Sequence, residues 1–169
     1  QHVEASGEQH GVATYVKYCD RFGYDDSPLR WSEASDRLIA RAVTGARLFA
    51  GVRDTLAAVR PLADVVVVSA SKTEAVRQDI LDEGMTDLFA ALLAQDFLPK
   101  RGILGGLARR YGRVLFVADT QRDVLAAATH GIPVYLIRPG DEDASWLAAR
   151  PVFERFIDGH DCADALLYS

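Results

Sequence analysis

The N-terminal part of the chain has apolar positions that follow a helical period. In "VATYVKYCDRFGY" they recur every three or four residues, the spacing of one face of an amphipathic helix. The residues of that face are Val12, Tyr15, Val16, Cys19 and Phe22. The turn "DDSP" at 25–28 ends this helix, and "SEASDRLIARAV" begins another, with Ser32 or Ser35 as its N-cap. A third helix is predicted over "GVRDTLAAVR".

From residue 64 the pattern changes to short apolar runs that alternate with helical stretches. The predicted strands are "DVVVV" at 64–68, "ALLAQ" at 91–95, "VLFVA" at 114–118 and "PVYLI" at 133–137. The predicted helices cover about 72–84, 100–111 and 120–130, followed by "EDASWLAAR" and "CADALLY". Continuous apolar runs are typical of parallel strands buried on both faces. The alternation therefore predicts an α/β fold, a Rossmann-like three-layer α/β/α parallel sheet.

Composition and charge narrow the classes of function. The 169 residues suit one domain with a sizeable core. The 19 Lys+Arg and 24 Asp+Glu give a net charge of −5, without the basic stripe expected of a nucleic-acid-binding protein. The apolar runs are all shorter than the ~18 residues of a membrane span. Cys19 and Cys162 have no metal-ligand spacing, so we expect free thiols and a reducing, cytoplasmic location.

Polar residues with phosphate and metal chemistry follow two of the predicted strands. Ser69 and Ala70 follow the first strand, and Asp119 and Asp123 follow the third. Lys100 begins the helix that lies between them in the sequence. Ligands of such sheets bind at the carboxyl ends of the strands. A hydroxyl, backbone N–H groups and a lysine suit a phosphate, while carboxylates one helical turn apart suit Mg²⁺.

Each of these residues also has a purely structural interpretation. Asp119 and Asp123 could be an N-cap region and a solvated helix residue. Ser69 could be a helix-start residue, with Ser71 as the actual cap, and Lys100 could be an ordinary surface lysine. The four histidines show no ligand spacing and are interpreted as structural or exposed.

Four stretches together resemble the phosphatase branch of the haloacid dehalogenase-like (HAD-like) superfamily. They are "FAGVRDTLAAVR", "VVVVSAS", "PKRGIL" and "VLFVADTQRDVLAAATHGIPVYLI", within residues 48–138. The resemblance implies a hydrolase that acts on a small phosphorylated metabolite through an aspartyl-phosphate intermediate. It implies phosphate binding by Ser69, Ala70 and Lys100, with Lys100 also catalytic, and Mg²⁺ binding by Asp119 and Asp123. Residues 1–47 would be a helical cap segment and residues 48–169 the core.

The chain departs from this family in one respect that concerns catalysis. The family's nucleophile is the first Asp of a D-x-D motif at the end of a central strand, and no such strand precedes Ser69. Ala118 and Arg101 also replace a usual Gly and Pro. The resemblance therefore implies a catalytically inactive chain: either a truncated piece of a longer protein or a pseudo-enzyme that serves as a binding or scaffold module. A third interpretation is a different Rossmann-like domain in which "AD-x-x-x-D" occurs by chance. A missing N-terminal segment or another copy of the chain would complete the sheet; otherwise the two strands that flank the gap would pair directly.

Overall fold

The computed structural model describes residues 47–94 and 99–167. Contacts between Cα atoms divide the chain into Gln1–Arg47 and Leu48–Ser169, and every described helix and strand belongs to the second unit. The two helices predicted before residue 47 lie outside the described residues. The cap segment therefore stays a prediction.

Helices and short strands alternate along the described residues. The helices are α1 (Val52–Val59), α2 (Thr73–Asp82), α3 (Lys100–Arg110), α4 (Gln121–Ala128) and α5 (Glu142–Ile157). The strands are β1 (Val66–Val68), β2 (Ala91–Leu93), β3 (Phe116–Ala118) and β4 (Val134–Leu136), and a 3₁₀ turn covers Thr86–Leu88. Each of these helices and strands lies where the hydrophobic pattern predicts one, although α5 continues to Ile157, beyond the predicted stretch "EDASWLAAR". The described residues therefore confirm a mixed α/β chain.

The strands pair in parallel, but in two small sheets. β1 pairs with β2, with Val67 opposite Leu92, and β3 pairs with β4, with Val117 opposite Tyr135. The described residues contain no pairing between β1 and β3. The single sheet predicted from the sequence is thus replaced, in this part of the chain, by two separate pairs of strands.

The end of the chain differs from its prediction. A helix is predicted over "CADALLY", but residues 162–167 form one turn, in which the Cys162 carbonyl accepts from the N–H groups of Ala165 and Leu166. Leu167 then pairs antiparallel with Val134, through N–H···O distances of 2.8 and 2.9 Å. The apolar residues after Cys162 therefore cover the outer edge of β4 instead of continuing a helix.

Two clusters of buried side chains hold the described elements together. The first joins α1, β4, α5 and the C-terminal turn, and consists of Val59, Tyr135, Ile137, Ala149, Phe153, Cys162 and Leu166. The second joins α3, β3, α4 and β4, and consists of Leu104, Ala118, Ala127, Ile132 and Val134. Successive residues of β4 enter different clusters, as expected for a strand buried on both faces.

The buried hydroxyl of Tyr135 makes stability sensitive to alkaline pH. It donates to the Ser145 carbonyl at 2.7 Å, and burial raises its pKa above 10.0, although nearby Arg138 acts to lower it. Because the folded pKa exceeds the unfolded one, this stabilisation is complete below about pH 10 and is lost as the pH rises through the folded pKa. We expect urea denaturation to show a lower free energy of unfolding at about pH 11 than at about pH 8.

Tyr135→Phe separates this contribution from other alkaline effects. At about pH 8 the variant should lose about 1 kcal/mol with the hydrogen bond. It should then show a shallower alkaline decline than the wild type. Parallel declines in the two proteins would contradict the assignment.

Two adjacent glycines in α3 differ in the space around them. A Cβ on Gly105 would lie 2.8 Å from His130 Cε1, whereas a Cβ on Gly106 would have nothing within 4 Å. His130 Nε2 lies 2.9 Å from the Arg101 carbonyl oxygen, so moving the ring breaks that hydrogen bond. Alanine in a helix interior is favoured over glycine by about 0.5–1 kcal/mol.

We therefore expect opposite outcomes from the two alanine substitutions. Gly106→Ala should raise the free energy of unfolding by about 0.5–1 kcal/mol. Gly105→Ala should give no net gain, since the lost His130 hydrogen bond costs about 1 kcal/mol. Urea midpoints of the two variants measure the difference, and an equal gain in both would show that His130 moves at no cost.

Candidate functional site

The centre of the candidate site is an ion pair between Lys100 and Asp123. Lys100 Nζ lies 2.8 Å from both carboxylate oxygens of Asp123. The Asp123 side chain is 11 % exposed and the Lys100 side chain 22 %. Lys100 Nζ also lies 6.0 Å from the centre of the Phe116 ring, within the range of a cation–π contact. The site therefore holds a lysine and a carboxylate that are both largely removed from water.

The local sequence explains how the two side chains meet. Pro99 is extended and precedes α3, so Lys100 is the first residue of that helix. Thr120 is the N-cap of α4, and its hydroxyl accepts from the Asp123 N–H at 3.2 Å, which places Asp123 in the first turn. A carboxylate is favoured at a helix N-terminus, whereas a lysine is not. Asp123 thus compensates the unfavourable position of the Lys100 charge.

Ser69 lies at the end of the other sheet. It directly follows β1, and its N–H donates to the Leu93 carbonyl at 3.1 Å. Its hydroxyl oxygen accepts from the Ser71 N–H at 3.1 Å, while Ala70 is exposed. The N-cap of α2 is Lys72, so Ser71 is not the helix cap that the structural alternative requires. The Ser69 hydroxyl takes part in a local turn, and its hydrogen remains able to donate.

Asp119 directly follows β3 and is exposed. Within residues 47–94 and 99–167 it has no hydrogen-bond or ion-pair partner. The structure therefore brings Lys100 and Asp123 together, and places Asp119 four positions before Asp123 at the carboxyl end of β3. It shows no contact that joins Ser69 or Ala70 to the Lys100–Asp123 pair.

The acidic residues permit a magnesium site but do not form a complete one. Among the described residues there is no group of three or more His, Cys, Asp or Glu side chains arranged to hold a metal ion. Mg²⁺ is commonly held by one or two carboxylates together with water and substrate phosphate. Asp119 and Asp123 are ligands of the required type, but no contact among the described residues joins their carboxylates, and Asp123 is paired with Lys100.

Thr120 is a residue of the site that the sequence interpretation missed. The stretch "TQRD" at 120–123 has the spacing of a capping box, in which a Thr is followed three residues later by an acidic residue. That spacing was a usable signal for Thr120 as the cap. The contact between Lys100 and Phe116 had no such signal, since the two residues are 16 positions apart in the sequence.

Comparisons with known proteins leave the family open. No protein-family model, no curated protein and no solved structure matches this chain. Within the part of the chain that the structure describes, no helix is both long and apolar enough to cross a membrane.

Proposed function

We propose that this chain is a HAD-like phosphohydrolase domain whose site at the carboxyl end of β3 holds a small phosphorylated metabolite. The observation that carries the proposal is the Lys100–Asp123 pair, with Nζ 2.8 Å from both oxygens. A lysine held by a carboxylate beside a second, exposed carboxylate, Asp119, is suited to a phosphate bound together with a divalent cation. In the complete fold we propose that the two sheets belong to one Rossmann-like three-layer core.

The proposed roles follow from the chemistry of each group. Lys100 would neutralise phosphate charge, and Ser69 together with the backbone at Ala70 would donate hydrogen bonds to phosphate oxygens. Asp119 and Asp123 would hold Mg²⁺, which supplies charge stabilisation for phosphoryl transfer when it is bound. The nucleophile implied by the family resemblance is not among these residues. We therefore propose that the chain by itself binds phosphate but does not turn over.

A non-catalytic role is favoured by one specific observation. Both carboxylate oxygens of Asp123 accept from Lys100, so two of the groups assigned to catalysis and metal binding already satisfy each other. Such a pair also serves to fix α3 against α4. The second candidate is therefore a pseudo-enzyme of the same fold that acts as a binding or scaffold module.

Binding and turnover assays test the proposed phosphate site and the expected absence of turnover. Hydrolysis of an aryl phosphate would be followed with Mg²⁺ and with EDTA, and binding of inorganic phosphate with Mg²⁺ by calorimetry. We expect no Mg²⁺-dependent turnover. We also expect phosphate binding that weakens about tenfold or more in Lys100→Met and in Asp119→Asn, because each removes a charged contact.

Asp87→Asn is the matched control, since Asp87 is an exposed carboxylate in the 3₁₀ turn. It should leave phosphate binding unchanged. Mg²⁺-dependent turnover abolished by Asp119→Asn would show that a nucleophile is present in this chain. A folded chain that binds no phosphate would favour the scaffold role.

A further inference from the structure

A cavity of about 920 Å³ separates the two sheets. Its walls include residues 65–68, which contain β1, and residues 114–117, which contain most of β3. It is also lined by core residues of both clusters, among them Phe153 of the first and Leu104 of the second. The cavity is partly open to solvent, and its volume would hold about thirty waters. We call this cavity the interstrand slot.

The two strands that border the slot direct unpaired backbone groups into it. In β1 the hydrogen bonds from Ser69 N–H and to the Val65 carbonyl show that odd-numbered residues face β2. The N–H and C=O groups of Val66 and Val68 therefore point away from β2, since successive residues of a strand alternate. These groups have no partner within the described residues.

The same alternation holds on the other side of the slot. In β3, the Phe116 N–H donates to the Pro133 carbonyl and the Ala118 carbonyl accepts from Ile137, so these residues face β4. The backbone groups of Leu115 and Val117 then point away from β4 and have no partner in the described part of the chain. Two strand edges thus present hydrogen-bonding groups to one largely apolar cavity, and such edges are templates for pairing with another strand.

β1, which borders the slot, is less buried than β4, which lies at the far side of its sheet. In a completed sheet the inner strands would be the more buried ones. All three valines of β1 are only partly buried, although they form a purely apolar run. Val134 and Tyr135 of β4 are buried, although β4 lies at the far side of its sheet from the slot. β1 is therefore apolar enough for burial on both faces, but it is not buried to that extent in the structure.

The two ends of the slot differ in charge. Arg60, Asp64 and Arg113 line it where β1 and β3 begin, and Arg60 Nε is buried without a hydrogen-bond partner. Arg60 and Asp64 form a distant ion pair at 4.0 Å, which leaves this end with an excess of positive charge. At the opposite end of β3, the exposed Asp119 directly follows the strand, close in sequence to Asp123, which pairs with Lys100.

We propose that the interstrand slot binds a separate β-strand of about five apolar residues, parallel to β1 and β3, that joins the two sheets into one. Hydrogen bonds on both edges and apolar contacts on both faces identify an extended chain as the occupant. The charges set its direction and flanks: an acidic residue before the strand meets Arg60 and Arg113, and a basic residue after it meets Asp119. This inference rests on the slot and not on the proposed phosphate chemistry.

The test adds a synthetic strand to the full chain. The probe is the peptide Glu-Val-Ile-Val-Ile-Val-Gly-Ser-Lys, and the readout is amide hydrogen exchange of Val66, Val68, Leu115 and Val117. At a free concentration of about 100 times Kd, exchange of all four amides should slow about 100-fold. The chain has two tryptophans, Trp31 and Trp146, and Trp146 lines the slot. With Trp31→Phe in place, the emission of Trp146 should shift to shorter wavelength when the peptide binds.

Two control peptides test the backbone hydrogen bonds and the direction of the bound strand. Proline in place of the central valine removes a hydrogen-bond donor and should abolish protection. A peptide with Lys first and Glu last should bind at least about tenfold more weakly if the charges set the direction.

Other outcomes would overturn the proposal. Protection at only one pair of amides would indicate addition to a single edge, and no protection would mean that the slot does not accept a strand. Equal binding of the reversed-charge peptide would refute the assigned direction. Slow exchange before any peptide is added would show that the chain itself fills the slot, or a second copy does if sedimentation then reveals a dimer.

Discussion

Phe153→Ala should lower the free energy of unfolding by about 3–5 kcal/mol, the largest single effect that we expect from the first cluster. Phe153 is 5 % exposed, and its ring meets the rings of Tyr135 and Trp146 edge-on, with centres 5.1 and 6.5 Å apart. The substitution removes both aromatic contacts and adds volume beside the interstrand slot, which α5 also lines. Because a domain is typically stable by only 5–15 kcal/mol, the loss is a large share of the total.

Urea denaturation measures this change, and Leu147→Ala is the matched control. Leu147 lies in the same helix but is 64 % exposed, so its truncation should change stability by less than about 0.5 kcal/mol. Comparable losses in the two variants would show that α5 is not held by the buried cluster around Phe153.

Lys100→Met should lower the free energy of unfolding by about 2–4 kcal/mol, because it leaves the Asp123 carboxylate without its cation. Asp123 as a whole residue is only 8 % exposed. Methionine preserves most of the apolar length of the lysine, so the measured loss reports chiefly on charge and hydrogen bonding. The exposed pair Arg150–Glu154 has the same 2.8 Å separation, with side chains 56 % and 37 % exposed. Arg150→Met should therefore cost less than about 1 kcal/mol.

A double-mutant cycle isolates the interaction between the two side chains. Asp123→Asn removes the negative charge, so adding Lys100→Met to that variant should cost at least about 1 kcal/mol less than adding it to the wild type. Urea midpoints of the four proteins give this difference. Additive losses would mean that Lys100 stabilises the fold through contacts other than Asp123.

The sequence pattern predicted where the elements lie better than how they assemble. Each of the four apolar runs contains a strand of the structure, including "ALLAQ" at 91–95, whose local signal is weaker than that of the other three. The pairing of β1 with β2 and of β3 with β4 depends on which edges meet, and periodicity does not encode that. The turn at Cys162 was mistaken for a helix because Cys162 and Leu166 are four positions apart, which is a helical spacing. Leu167 instead pairs with Val134.

The candidate site was predicted in part for a similar reason. Lys100 stands out because it begins a helix, and Asp123 because it lies in the first turn of a helix that follows a predicted strand. The Ser69 hydroxyl accepts from Ser71 two residues away, a local hydrogen bond that competes with any distant ligand. The metal and phosphate assignments stay predictions, since they depend on groups that only a ligand would bring together.

The antiparallel contact between Leu167 and Val134 has a consequence for how the chain behaves in concentrated solution. It occupies the N–H and the carbonyl of Val134, on the side of β4 that faces away from β3. An open edge at that position would be a template for pairing between molecules, which is how many β-rich proteins begin to aggregate. The C-terminal segment thus shields this strand edge from other molecules. A truncation that removes Leu167 would leave the edge of β4 unpaired and prone to association, without disturbing a helix.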